Sequence, residues 1–369
     1  MAIDEFEPEI IIPFCDRSVE HLHHLHACCN VEGEPDRRVR VLIERSLGPA
    51  ESFATSSSRY DLLALAADEG IRVPETIRID TDEDLRRWKR KLPWLLKADG
   101  TWGGRGVRKA DSLPSGSIAL LQLTTRATLL ELVKQLLLNR DRDWIISNWQ
   151  RKRPQVVAQS LIEGRPANCA VVCWQGEVLA SFAVEVVQAV GQWQPATVVQ
   201  IVEGREMIHA AKRIADRLRL SGFFGLDFMI EHGTGATYLI EMNPRCTPPC
   251  YLPLGEGRDL VAAIWGKLAD RVVHHRQAVT EKSRIAYFPQ SLPGIGASSE
   301  SLGLDSAYLD VPDAQPELIH ELLHPWPERS LAGRLLDRLR SRITVKQPTP
   351  AHFFEVAQQE NLEPAINQK

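Results

Sequence analysis

The apolar positions along the chain predict helices and strands that are mixed without regular alternation. Spacings of three and four between apolar residues predict helices at 16–27, 59–68, 82–90, 127–138, 205–220, 317–323 and 331–343. Short apolar or alternating runs predict strands at 9–14, 94–97, 107–109, 156–161, 170–174, 178–187 and 285–288, and a hairpin at 223–243. This order favours an α/β fold of the mixed α+β type.

The segment 225–245 consists of two apolar strands around a glycine-rich turn. A hairpin that is symmetric about Thr234 places Asp227 directly opposite Glu241. Like charges that face each other destabilise a strand pair unless a cation lies between them. The segment therefore predicts a bound cation beside these two acids.

Side chains alternate along a strand, so Glu241, Asn243 and Arg245 are predicted to project from one face together with Asp227. Carboxylate and amide oxygens are suitable ligands for Mg²⁺. The alternative is a solvent-facing hairpin with incidental acids. The apolar residues around the acids argue for a buried face instead; they are Leu226, Phe228, Met229, Leu239, Ile240 and Met242.

A lysine and four glycines follow one another at 97–106. Glycine lets backbone N–H groups approach phosphate oxygens, and Lys97 at a strand end adds a positive charge. The segment is not a Walker loop, a dinucleotide-binding turn or a protein-kinase glycine loop, because the flanking motifs of those sites are missing. A plain hairpin turn explains the glycines equally well when the segment is considered alone.

Composition narrows the class of protein. The 369 residues are 44% hydrophobic and 25% charged with a net charge of −4, which is typical of a globular protein and argues against coating nucleic acid. No apolar run is long enough for a membrane helix, and the first six residues lack the basic start of a secretory signal. Seven cysteines without framework spacing indicate reduced thiols, so we expect a cytoplasmic protein.

Taken together, the motifs resemble the ATP-grasp superfamily over roughly 56–270. The resemblance depends on four segments in the order typical of that family. They are Arg59 followed by Gly-Ile-Arg-Val-Pro-Glu-Thr at 70–76, Lys97 with Gly103, Gly104 and Gly106, a hinge at 158–164, and Asp227 with Glu241, Asn243 and Arg245. The hinge has Gln159 where the family usually has Glu, and Pro166 stands where an acid often binds ribose.

The resemblance implies two α+β lobes that clamp ATP, at 56–157 and 158–270. Such enzymes usually begin with a Rossmann-like domain of about a hundred residues. We therefore expect 1–55 to be a shortened Rossmann-like segment, or the start site to have been assigned too late. Residues 271–369 are expected to form an α/β carboxy-terminal extension.

The resemblance also implies roles for individual residues. Asp227, Glu241 and Asn243 would bind Mg²⁺ or Mn²⁺, while Lys97 and Arg245 would act in catalysis. The residues expected to bind ATP are Arg59, Lys97, Gly103, Gly104, Gly106, Gln159, Ser160, Leu161 and Ile162.

The expected activity is an ATP-dependent carboxylate–amine ligase that forms an acyl phosphate and releases ADP and phosphate. Its partners would be a small carboxylate and an amine, with no nucleic acid, no membrane, and a homodimer left open. A kinase-type phosphotransferase and a non-catalytic ATP-binding protein are the alternatives. We also considered His21 and His24 as metal ligands, but no further ligand motif accompanies them. For Cys246 and Cys250 packing roles are favoured, and a place for Cys246 in the wall of the acceptor pocket is the alternative.

Overall fold

The computed structural model describes residues 2–30, 33–88, 92–101, 106–125, 154–191, 194–272, 276–292 and 306–323. The chain forms two compact units. The first consists of Met1–Thr125 with Arg153–Tyr287, and the second of Arg126–Lys152 with Phe288–Lys369. All of the predicted site residues that the structure describes lie in the first unit.

Helices of the described residues are numbered in chain order. They are α1 (Ala2–Phe6), α2 (Asp16–Cys28), α3 (Glu34–Leu47), α4 (Phe53–Ser57), α5 (Arg59–Asp68), α6 (Asp82–Arg87), α7 (Leu113–Thr124), α8 (Arg205–Leu218) and α9 (Leu260–Leu268) in the first unit, and α10 (Pro316–Leu323) in the second. A short 3₁₀ helix, Ala50–Ser52, precedes α4.

Strands are numbered in the same way. They are β1 (Thr76–Ile79), β2 (Trp94–Ala98), β3 (Val107–Ala110), β4 (Val156–Ser160), β5 (Gly164–Trp174), β6 (Glu177–Ala189), β7 (Ala196–Val202), β8 (Gly222–Glu231), β9 (Thr237–Asn243) and β10 (Arg284–Tyr287) in the first unit, and β11 (Ala307–Asp310) in the second.

The smaller sheet of the first unit has the strand order β1-β4-β2-β3, with antiparallel pairing throughout. Helices α6 and α7 supply Leu85 and Leu120 to its core, which includes Trp94 and Leu96 of β2. Thr81 and Asp84 form a reciprocal capping box at the start of α6. The helix ends at Arg87, slightly before the predicted end.

The larger sheet has the order β10-β7-β6-β5-β8-β9 within the first unit, again antiparallel. Helix α8 packs an apolar face on it, with Ile214 fully buried. The predicted turn between β5 and β6 is present, and Gln175 and Gly176 have φ values of 51° and 94°. Positive φ at both central residues is the geometry of a tight hairpin turn.

The hairpin of β8 and β9 pairs Asp227 with Glu241, as predicted, but it is not symmetric about Thr234. Phe228 pairs with Leu239, so the register shifts by one residue between the two pairs. Ile240 is the extra residue of a β-bulge. The bulge lets Leu239 face the apolar core while Glu241, two residues later, faces the opposite side together with Asp227.

Several predicted helices and strands are absent, were missed, or lie outside the described residues. The run at 9–14 is not a strand: Ile11 N donates to Ser46 Oγ and Pro13 O accepts from Cys246 N, so single contacts fix an extended segment. The predicted helices at 127–138 and 331–343 lie outside the described residues. The sequence patterns did not predict α1, α3, α4, α7, α9, β1, β7 or β11. The mixed α/β class is confirmed.

Candidate functional site

Arg59 joins the two sheets of the first unit. It is the first residue of α5, whose N-cap residue Ser58 accepts a hydrogen bond from Asp61 N. Its Nε donates to Glu241 Oε2 at 2.7 Å, and a terminal nitrogen donates to Asp99 Oδ1 at 3.2 Å and to Ala98 O at 2.7 Å. Burial alone would lower the pKa of Arg59, but Glu241 and Asp99 outweigh it and raise it. The guanidinium therefore stays charged between two carboxylates.

Asp227 and Glu241 face each other, as their position in the register requires. Asn168 of β5 donates to Asp227 Oδ1 at 2.7 Å, and Asn243 donates to Oδ2 at 2.9 Å. Burial and the neighbouring Glu241 raise the pKa of Asp227 to about 6. Burial would also raise the pKa of Glu241, but Arg59 and Lys97 together hold it below its usual range. Glu241 therefore ionises more easily than an ordinary glutamate, whereas Asp227 keeps its proton to a higher pH than an ordinary aspartate.

Arg245 extends the same face beyond β9. One terminal nitrogen donates to Asn243 Oδ1 at 3.1 Å and the other to Cys246 O at 3.1 Å. Its Nε lies 3.0 Å from Asp16 Oδ1 of helix α2, close enough for an ion pair although the angle does not make a hydrogen bond. The structure thus brings the four predicted groups of the hairpin together.

Lys97 lies in β2 and is buried, with 5% of its surface exposed. Its Nζ donates to Gln159 Oε1 at 2.8 Å, and Gln159 Nε2 donates to Thr76 Oγ1 at 3.2 Å. Burial lowers the pKa of Lys97 to about 8, despite the nearby carboxylate of Glu241. Because residue 159 is a glutamine and not a glutamate, Lys97 has no direct ion-pair partner at this position, and none of the other described residues forms an ion pair with it.

Of the hinge, Gln159 and Ser160 end β4, and Leu161 and Ile162 follow it. The N–H of Ser160 donates to Glu75 O at 2.9 Å, so this amide is engaged within the protein. Leu161 and Ile162 are partly exposed. Adenine contact through the backbone of these two residues stays a prediction.

The glycine loop is described only at its base, because Trp102, Gly103 and Gly104 lie outside the described residues. A Cβ at Gly106 would lie 1.7 Å from Thr101 Oγ1, which itself donates to Ala98 O at 2.6 Å. The N–H of Ala98 donates to Gly106 O at 3.0 Å. Close approach of the two loop ends therefore requires glycine here.

A cavity of about 330 Å³ opens beside these groups. Arg59, Glu241, Asn243 and Arg245 line it from one side, and helix α2 lines it from another. Lys97 and Gln159 do not belong to its lining. The described lining residues are Asp16, Arg17, Val19, Glu20, His23, Ser56, Ser57, Ser58, Arg59, Leu62, Asp99, Gly100, Thr101, Glu241, Met242, Asn243, Pro244 and Arg245.

The donor set fits a hard divalent cation that takes only some of its ligands from the protein. Within the described ranges, no group of three or more His, Cys, Asp or Glu side chains could hold a metal ion. Asp227 and Glu241 provide two carboxylates, and the buried Oδ1 of Asn168 has no hydrogen-bond partner in the structure. Mg²⁺ typically takes one or two carboxylates and completes its shell with water and substrate phosphates. These residues therefore suit Mg²⁺ bound together with a nucleotide, and they do not form an all-protein metal cage.

Three polar residues of this region were not predicted from the sequence as part of the site. Asp99 follows Lys97 by two positions and could have been noticed within the glycine segment. Asn168 is an isolated amide in an otherwise apolar strand, and Asp16 lies 229 positions before its partner Arg245, so neither carried a local signal.

Comparison with known proteins agrees with the fold. Residues 138–249 match the family model described as ATP-grasp domain. The biotin carboxylase domain dimer of 2-oxoglutarate carboxylase from Hydrogenobacter thermophilus, solved with MgADP, ADP and bicarbonate, is similar in structure. It has a TM-score of 0.54 and 14% identity, and the match covers 74% of this chain and 57% of that chain.

Biotin carboxylase from Campylobacter jejuni, in a β,γ-ATP complex, gives a TM-score of 0.52 at 12% identity, with 77% of this chain and 58% of that chain covered. The present chain thus spans less than two thirds of either structure. No curated protein matches the chain in sequence. A match of 138–249 to the ATP-grasp domain model and the ATP-grasp fold of the chain confirm the resemblance. In the part of the chain that is described, no helix is long and apolar enough to cross a membrane.

Proposed function

We propose that the protein is an ATP-dependent ligase that activates a small-molecule carboxylate as an acyl phosphate and couples it to an amine, releasing ADP and phosphate. The observation that carries this proposal is the Arg59 bridge. Its guanidinium touches Asp99 beside the glycine loop and Glu241 of the paired acids. Phosphoryl transfer depends mainly on positioning and charge neutralisation, and an arginine held between the glycine loop and the paired acids supports such a site.

Different residues of the chain would bind the metal, bind the phosphates and stabilise the transferred group. Asp227, Glu241 and Asn243 would hold Mg²⁺, which would neutralise charge on the β- and γ-phosphates. Lys97 and Arg59 would bind phosphate oxygens. Arg245, with both terminal nitrogens already oriented by hydrogen bonds, would stabilise the developing negative charge on the transferred group or the tetrahedral intermediate.

The reaction would begin with attack of a substrate carboxylate oxygen on the γ-phosphorus, and ADP would leave. The amine nitrogen would then attack the acyl carbon, and phosphate would leave with the electron pair of the broken C–O bond. The cavity lined by Arg245 and Glu241 would receive the acid and the amine. Nucleotide complexes of two proteins with the same fold support the ATP assignment.

Location and assembly are also proposals. All seven cysteines are free thiols, which supports a reducing, cytoplasmic setting. One structurally similar protein is a dimer, so a homodimer stays open for this chain. No nucleic-acid partner is proposed, given the net charge of −4.

A hydroxylamine trap tests the first half of the reaction. The full chain is incubated with MgATP, one carboxylic acid from a panel of amino acids and other small acids, and hydroxylamine. Hydroxamate and ADP are then measured. Because hydroxylamine captures acyl phosphates without a second substrate, the proposal predicts stoichiometric hydroxamate and ADP with at least one acid. A stable phosphorylated product that no amine consumes would instead indicate the kinase-type alternative.

Glu241→Gln tests the residues. The variant should lose essentially all ATP consumption while keeping its fold by circular dichroism, because it removes a carboxylate from the metal site. Glu203→Gln is the matched control, since Glu203 is 77% exposed and pairs only with neighbouring Arg205 among the described residues. Turnover by Glu241→Gln near the wild-type level would refute the metal assignment. MgATP binding without any turnover in the wild type would support a non-catalytic protein.

A further inference from the structure

Buried polar atoms without a protein partner gather around the paired acids. Among the described residues, a buried side-chain nitrogen or oxygen that has no hydrogen-bond partner occurs at Asn168, Thr197, Arg245, Thr247 and Ser291. Asn168, Arg245 and Thr247 all lie beside the candidate metal site. The Nε atom of Arg245 has the carboxylate of Asp16 at 3.0 Å, which leaves the oxygens of Asn168 and Thr247. Native proteins rarely keep such atoms without a partner, so these two oxygens indicate a ligand.

Asn168 is aligned with both acids across the sheet. It pairs with Asp227 of β8, and Asp227 pairs with Glu241 of β9, so the three side chains project from the same face. Asn168 Nδ2 donates to Asp227 Oδ1 at 2.7 Å. Because an ionised carboxylate only accepts hydrogen bonds, the amide must direct its NH₂ group to Asp227. Its Oδ1 is therefore a buried acceptor beside the two acids.

Thr247 occupies the space above Gly225 of β8. A Cβ at Gly225 would lie 2.5 Å from Thr247 Cγ2 and 2.7 Å from Thr247 Oγ1, so the threonine takes the place of the missing side chain. That place is on the same face as Asp227, two residues further along the strand, and it is opposite Asn243. Thr247 is only 7% exposed. Its hydroxyl oxygen is the second buried acceptor beside the proposed metal ligands.

The chemistry of these two oxygens favours the water shell of a divalent cation. Asn168 Oδ1 cannot bind a phosphate or a carboxylate, because both partners would be acceptors. Mg²⁺ gives up its water reluctantly and usually keeps several water molecules, each of which needs an acceptor. Neutral oxygens accept these hydrogen bonds without adding charge beside Asp227 and Glu241, which already face each other.

We propose that Asn168 and Thr247 form an outer shell for the divalent cation, in which Asn168 Oδ1 and Thr247 Oγ1 accept hydrogen bonds from cation-bound water. Asn168 is also a positioning residue, because its Nδ2 orients Asp227. The inference rests on the proposed function and adds two residues to its metal site. It implies a preference for Mg²⁺, which keeps its water, over Ca²⁺, which takes about six to eight direct oxygen ligands.

Metal binding tests the outer shell without any turnover. Mn²⁺ is the probe, alone and then with ADP, and water-proton relaxation detects the protein-bound ion; Mg²⁺ and Ca²⁺ are added as competitors. Thr247→Val keeps the shape of the side chain and removes a hydroxyl that has no partner among the described residues. The metal-free variant should be at least as stable as the wild type in urea unfolding. Its affinity for Mn²⁺ should fall about tenfold, as is typical when an outer-shell group is lost.

Thr197→Val is the matched control. Thr197 is also buried and also has a hydroxyl without a partner in the described part of the chain, but it lies in β7, which β6 and β5 separate from β8. This variant should keep the wild-type affinity for Mn²⁺.

Asn168→Asp tests the second residue. It adds a third carboxylate directly beside Asp227, so the metal-free variant should be less stable than the wild type at neutral pH. With three acids, the affinity for Ca²⁺ should rise about tenfold relative to Mg²⁺. A purely structural role of Asn168 would give the loss of stability without the change in metal preference.

Three results would overturn the outer shell. An affinity for Mn²⁺ that is unchanged in Thr247→Val, or that falls equally in Thr197→Val, would exclude the role of Thr247. An Asn168→Asp variant with the wild-type preference for Mg²⁺ over Ca²⁺ would exclude that of Asn168. Both results would leave the ligase proposal intact if the wild type forms hydroxamate. If the wild type binds no Mn²⁺, alone or with ADP, the metal assignment fails and the outer shell with it. Binding of Mn²⁺ with the predicted changes but no hydroxamate from any acid would refute only the ligase.

Discussion

Asp227→Asn should stabilise the metal-free protein at neutral pH while it removes activity. The ordinary pKa of the carboxyl is 3.8, and burial together with Glu241 raises it to about 6. The folded state therefore binds a proton that the unfolded state has released, and stability falls as pH rises from about 4 to about 6. Asparagine has no charge and avoids this cost.

The size of the effect follows from that difference. A rise from 3.8 to about 6 corresponds to about 3 kcal/mol above pH 6. Asn168 and Asn243 both donate to the carboxylate, and an amide at position 227 can accept only one of these bonds without rearrangement. The lost hydrogen bond and the partial exposure of the residue reduce the net gain to about 1–2 kcal/mol.

Urea or thermal unfolding of the metal-free protein at about pH 7.5 and about pH 4.5 measures the effect. The variant should unfold later than the wild type at the higher pH, and the two should converge at the lower pH. Adding MgATP should stabilise the wild type and not the variant. Asp111→Asn is the control, because Asp111 is 68% exposed. A variant that is less stable than the wild type at pH 7.5, or a difference that does not shrink in acid, would refute the reasoning.

Two further predictions concern the nucleotide side and the sheet. Burial lowers the pKa of Lys97 to about 8, so the KM for ATP should rise as pH increases through that value. Lys97→Met should give a high KM that is independent of pH between about 7 and about 9. A wild-type KM that does not change over this pH range contradicts the assignment of Lys97 to phosphate binding. Gly164→Ala should lower the free energy of unfolding in urea by about 3 kcal/mol or more, because its Cβ would lie 2.1 Å from the backbone oxygen of Ile230. Gly116→Ala is the control and should be tolerated, because its Cβ would make only ordinary van der Waals contacts. Equal stability of the two alanine variants would exclude a steric role for Gly164.

Local patterns were sufficient for the parts of the site that lie within one supersecondary element. The facing pair of Asp227 and Glu241 followed from alternation along a hairpin, and Lys97 from its place before the glycines. Helix α5 could be bounded correctly because its leucines and Gly70 give clear start and stop signals. Such features depend on short-range backbone geometry, which the sequence encodes directly.

Contacts between distant segments could not be obtained in this way. Arg59 donates to Glu241 across 182 positions, and only the family resemblance drew attention to the arginine. The apolar run at 9–14 resembles a strand in composition, but a strand requires a partner to accept its backbone hydrogen bonds. That segment is held by isolated contacts to Ser46 and Cys246, which local reasoning cannot foresee.

The bulge at Ile240 decides which face of the hairpin carries Glu241. Between the turn and the bulge, residues pair in one frame, and beyond it they pair in another. With strict alternation through Ile240, Glu241 would lie on the apolar side that Leu239 occupies, so the extra residue reverses the alternation at this point. Loss of Ile240 would give a regular ladder in which Glu241 still pairs with Asp227. Natural variation in length is therefore expected at position 240 as well as at the exposed tip near Gly233 and Gly235, whose surroundings are open.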